Sequence, residues 1–161
     1  MPRYLLLLSV ALIAASASFN AATSQTTIDA EIASRLAKIE NAPSADARIE
    51  WAAHLAEYLA SRGPVELNNV DPPIVDDMAQ LLSDSEDWVR FYIAASLGFL
   101  GPSARRAIPA LERALEQGQS PADFSTGGGT ILRALGSAQA ICAAFEKIDL
   151  NRVPGNCRSY R

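Results

Sequence analysis

Apolar residues recur along this chain at steps of three and four, in runs separated by Gly, Pro, Asn and Ser, so the pattern is helical from one run to the next. Ile28, Ile32, Leu36 and Ile39 make one face of a helix that Thr26 or Thr27 can cap and that ends near Glu40, before Asn41-Ala-Pro-Ser44. Ser44 caps a second helix to about Arg62, with Ile49 or Ala52, Leu55 and Leu59 inward, and Gly63-Pro64 stops it. Val65 to Asp71 reads as a loop. Pro72-Pro73 opens a helix to Leu82, its stripe made of Ile74 or Val75, Met78, Leu81 and Leu82. The next helix, Asp87 to Leu100, ends at Gly101-Pro102; Ser103 then caps a helix through Gln117 that turns Ile108, Leu111 and Leu115 inward. After a loop from Gly118 to Gly129, the last helix runs from Thr130 to about Ile148, with Ile131, Leu135, Ala138, Cys142 and Phe145 inward. No segment alternates with a period of two over a strand's length, so the expected fold class is all-α.

The helices come in pairs, and the pairs echo one another. Arg48 leads Trp51-Ala-Ala-His-Leu55, Arg90 leads Ile93-Ala-Ala-Ser-Leu97, and Arg133 leads Gly136-Ser-Ala-Gln-Ala140, at intervals of 42 and 43 residues. A fixed period near 40 residues with two helices per unit is the mark of a helical-repeat array. The central unit carries Pro73, Leu81-Leu82, Asp84, Val89-Arg90, Ala94, Leu97-Gly98, Leu100-Gly101 and Ala107-Ile108-Pro109-Ala-Leu111. In these residues, spanning about Pro72 to Leu115, the chain resembles the bacterial HEAT-repeat pattern. The resemblance implies a short α-solenoid of about three HEAT-like helix pairs with degenerate flanking units, and a recognition surface rather than a catalytic centre. It also implies a polar tie between repeats, made by an Asp at the turn and an Arg six positions later. Asp84 and Arg90 have that spacing, whereas Ala42 and Gly127 stand at the matching Asp positions of the first and last units.

The N-terminus changes the expected compartment. One basic residue, Arg3, precedes an apolar run from Leu5 to Ala15 with Ser9 as its polar member, and Ala15-Ser16-Ala17 follows. This is the grammar of a secretory signal peptide; spanning a bilayer takes about 20 mostly apolar residues. The organisation read from the chain is a signal at 1–17, a linker at 18–25, a helical-repeat domain at 26–148 and a tail at 149–161, in a periplasmic or secreted protein. The mature 144 residues carry a formal charge of −5, which argues against a nucleic-acid partner. In that compartment Cys142 and Cys157 are expected to form one disulfide, closing the tail over the last helix.

Candidate chemistry is sparse. His54 is the single histidine of the chain, and no nucleophile motif or metal-ligand spacing accompanies it. The acidic stretch from Asp71 to Asp87 lacks the alternation of a calcium loop and serves as caps and solvated face. No cofactor and no metal are expected. The helix from Asp87 to Leu100 is apolar nearly all round, and Trp88 with Phe91 or Tyr92 is expected to share a partner-binding face with Trp51 and Tyr58 of the preceding unit. The expected function is a non-catalytic protein-binding adaptor or scaffold. The alternatives are an enzyme or enzyme-supporting subunit, as the bilin lyases and DNA glycosylases of HEAT-like type are, and a structural or inhibitory module coating one target. A homodimer is the alternative to a monomer.

Overall fold

In the computed structural model the described residues are 27–117 and 128–160. The signal expected at 1–17, the linker expected at 18–25 and most of the loop expected at 118–129 lie outside them, as do Arg161 and the side chains of Ile131, Arg133 and Leu135. Among the described residues seven α-helices follow one another: α1 (27–40), α2 (Ala45–Ala60), α3 (Pro64–Leu67), α4 (Pro72–Gln80), α5 (Asp87–Leu100), α6 (Ile108–Gln117) and α7 (Gly128–Ile148). Short 3-10 helices fill Leu81–Ser83, Gly101–Ala107, Leu150–Arg152 and Gly155–Tyr160. Among the described residues there is no strand.

Local chemistry accounts for the boundaries. Ser44 Oγ accepts from the amide of Ala47 and opens α2. Gly101 adopts φ +56°, the one positive φ among the described residues, and turns the chain out of α5 ahead of Pro102. Two expectations are corrected. Residues Val65 to Asp71 are not loop throughout, because Pro64 pre-sets φ for a helical turn that buries Leu67. Ser103 does not cap α6: its hydroxyl donates to the Asn68 carbonyl at 2.7 Å, and α6 begins only at Ile108. Pro109 has no amide to give and its ring crowds the preceding turn, so residues 101–107 wind more tightly instead of continuing one α-helix.

One apolar cluster runs from Ile28 to Cys157. α5 lies at its centre, with α2 against one side and α7 against the other, while α4 packs on the 101–107 segment and α6 on α7. This explains why α5 buries Val89, Ile93, Ala94, Leu97 and Leu100 together. α5 and α7 come close at Gly98, where an added Cβ would lie 3.3 Å from Ala144 Cα.

Cys142 and Cys157 form the expected disulfide, with 5.4 Å between their Cα atoms. The bridge holds the two 3-10 turns of the tail against α7, and Val153 joins the core beneath them. Counting one 43-residue period back, Cys142 is the counterpart of Phe99 on α5. On α7 that strip is roofed by the tail and Cys142 is buried; on α5 Phe99 remains half-buried beneath Lys147.

Candidate functional site

The aromatic residues expected to share one face divide into two clusters. Trp88, Phe91 and Tyr92 follow one another on α5 beside its buried stripe, at the spacing that places them on adjoining turns, and Phe91 and Tyr92 pack against the margin of the core. Their rings are 5.2 Å apart for Phe91–Tyr92, 5.6 Å for Trp88–Phe91 and 6.2 Å for Trp88–Tyr92. The two shorter pairs meet edge to face, the geometry in which aromatic quadrupoles attract. Phe91 also rests on α7, its ring 3.9 Å from where a Cβ on Gly136 would stand. Trp88 is the most open of the three at 39% exposure, while Phe91 and Tyr92 are half-buried. The result is a ridge whose base is fixed and whose crest meets solvent.

Trp51 and Tyr58 lie elsewhere. On α2 they turn toward α1, whose cations cover them: Lys38 Nζ sits 4.3 Å from the Trp51 centroid and the Arg35 guanidinium 4.1 Å from the Tyr58 centroid. Arg62 covers Tyr58 from the other side at 4.7 Å. Cations over rings gain from the π quadrupole and shield the apolar surface with their methylene stems. His54 lies between the two rings, 5.6 Å from Trp51, with Glu50 at 3.7 Å and Glu57 at 3.5 Å. The rings thus form two clusters, one on α5 and one between α1 and α2. The signal was available in the repeat: one period on from Trp51 and Tyr58 stand Ile93 and Leu100, whereas Trp88 and Tyr92 correspond to Asp46 and Glu50.

The polar tie is built differently from the Asp84–Arg90 pair expected. Arg90 Nη1 does reach Asp84, but donates to its backbone carbonyl at 2.6 Å, and its guanidinium pairs with the Asp87 carboxylate. The Asp84 carboxylate takes two other donors, the Glu86 amide at 2.8 Å on Oδ1 and Arg48 Nη1 at 2.9 Å on Oδ2. Arg48 stands 42 residues before Arg90, and this bond joins α2 to the turn before α5. Reaching the next unit in the same way would need a carboxylate at 127, where the chain has glycine. The Asp84 side chain is 8% exposed, so stripping its cation leaves a nearly dry charge. Arg48→Ala is expected to cost about 1–3 kcal/mol in urea unfolding, and Arg48→Met in an Asp84→Asn background much less.

Further ion pairs tie the outer helices. Arg106 grips Asp76 with two bonds of 2.8 and 2.6 Å, joining α4 to the 101–107 segment, and Arg105 stands 3.7 Å from Asp149. Among the described residues no cluster of His, Cys, Asp or Glu is arranged to hold a metal ion, and no helix is long and apolar enough to cross a membrane. Comparison with known proteins returns no match to a family model, to a curated protein or to a solved structure.

Proposed function

We propose that the chain is an exported, non-catalytic adaptor: a short HEAT-like solenoid of about three helix pairs that binds a protein partner through the outward face of α2 and α5. The observation that carries this reading is the ridge of Trp88, Phe91 and Tyr92. Three aromatic rings braced against one another on the central helix present rigid apolar area at little cost in conformational entropy, as binding hot spots do. Asp46, Glu50 and Glu57 stand exposed along α2 beside it, so the partner segment pairs an apolar anchor with a basic rim. The 42-residue recurrence and the α2–α5–α7 row support the solenoid reading. The signal-like N-terminus and the disulfide support export.

The test begins with a partner captured on the mature chain from an envelope extract and then purified. Its affinity for Trp88→Ala and Tyr92→Ala is measured by calorimetry. Each substitution is expected to weaken binding by at least 2 kcal/mol, about 30-fold, with the thermal midpoint little changed. Wild-type affinity in both folded variants would reject the ridge as the binding surface.

A further inference from the structure

We infer that the open edge of α2 is a self-association surface, on which a second copy of this chain docks with its own α2 alongside and parallel. The inference does not use Trp88, Phe91 or Tyr92, although Glu50 and Glu57 border both surfaces.

The argument starts from repeat register. Ile93, Ser96 and Leu100 are buried on α5. One period earlier, Trp51, His54 and Tyr58 hold the same positions on α2, on the side turned away from α5. No helix of the same row precedes α2 among the described residues. An array that ends in solvent normally closes with a polar outer face. Here the terminal edge instead carries two large rings and three adjoining hollows of ≈ 380, 430 and 280 Å³, each bordered by Trp51 or Tyr58. The cations over those rings are a partial cover that leaves both rings half-exposed.

The occupant follows from spacing and charge. Ala47, Trp51, His54, Tyr58 and Ser61 advance along α2 in steps of four, three, four and three, the seam of a parallel two-helix coiled coil. The two rims of this seam have opposite charge. One is acidic, with Glu50 and Glu57, whose side chains are 72% and 77% exposed. The other is net basic: Arg35 and Lys38 from α1 and Arg62 just past α2, with Glu31 beside Arg35 and Glu66 beside Arg62. A two-fold axis along the helix brings the acidic rim of each copy onto the basic rim of the other, at equal height. Glu50 then meets Lys38 of the second copy, and Glu57 meets its Arg35 and Arg62, twice over in an isologous contact. An antiparallel pairing would set acid against acid and base against base. The seam is therefore complementary to itself in one orientation, which argues for a second copy over an unrelated partner.

Sedimentation velocity on the exported chain, from about 1 to 100 µM, reads the outcome. The mass should double across this range. Trp51→Ala should weaken self-association about 30-fold or more, since two rings are lost per dimer. Two charge variants make the decisive pair. Glu50→Lys/Glu57→Lys leaves both rims basic, and Arg35→Glu/Lys38→Glu leaves both acidic. Each is expected to be monomeric alone, at least tenfold weaker than wild type, and the two should form a heterodimer when mixed. Circular dichroism on each variant separates loss of the seam from loss of the fold, and complementation on mixing is a result that misfolded chains cannot give. A wild-type chain that stays monomeric at 100 µM overturns the inference, as does a dimer indifferent to both charge variants or a mixture that fails to associate. Trp88→Ala should leave the mass unchanged, so failure here is distinct from failure of the adaptor reading.

Discussion

Replacing Phe145 by alanine is expected to lower the unfolding free energy by about 3–5 kcal/mol, a large part of the roughly 5–15 kcal/mol that holds a domain of this size together. Phe145 is fully buried on α7, and it heads the largest side chains of the core. Its neighbours cannot readily collapse into the space it leaves, because α7 is held close to α5 at Gly98 and covalently to the tail at Cys142. A cavity that cannot shrink carries its full cost. Urea unfolding at constant slope checks this; a midpoint close to wild type would mean that α7 is not part of the cooperative core.

Removing the Cys142–Cys157 bridge, by reductant under mild denaturation or by Cys142→Ala/Cys157→Ala, is expected to cost about 3 kcal/mol. The two cysteines are 15 residues apart, and a loop of that length gives this value in the chain-entropy model. The thermal midpoint should fall by about 10 °C. The loss should be local before it is global. The tail meets α7 through two 3-10 turns and Val153, so limited proteolysis of the reduced chain should cut first between Asp149 and Tyr160. Equal midpoints for the oxidised and reduced chains would show that the tail is clamped by its packing alone.

The helices were legible from the chain because their stops are chemical. Ser44, Gly63-Pro64 and Gly101-Pro102 each break the helical pattern for a reason that acts within a few residues, and the breaks lie where the pattern places them. The bridge was legible too, from compartment and from a count of two. What escaped the reading depends on reach. Asp84 could be matched with Arg90 by counting, yet its carboxylate takes Arg48, 36 residues away, because a guanidinium on a long stem crosses to the neighbouring unit while Arg90 finds Asp87 one turn along its own helix. The aromatic residues failed in another way. Hydrophobic spacing says that Trp51 and Trp88 each point off a core stripe, but not that Trp51 turns under Lys38 of α1 while Trp88 meets Phe91 on its own helix. The tight winding of 101–107 was masked by Ser103, a good cap whose hydroxyl went to Asn68 instead.

The tail has a consequence for the proposed binding surface. On α7 the position equivalent to Phe99, Cys142, is tied to the chain's own last residues through Cys157. Under the proposed function, a partner that held Trp88 and Tyr92 and extended along α5 past Phe99 would meet that anchored tail over α7. One sulfur–sulfur link thus fixes what stands over the C-terminal end of α7.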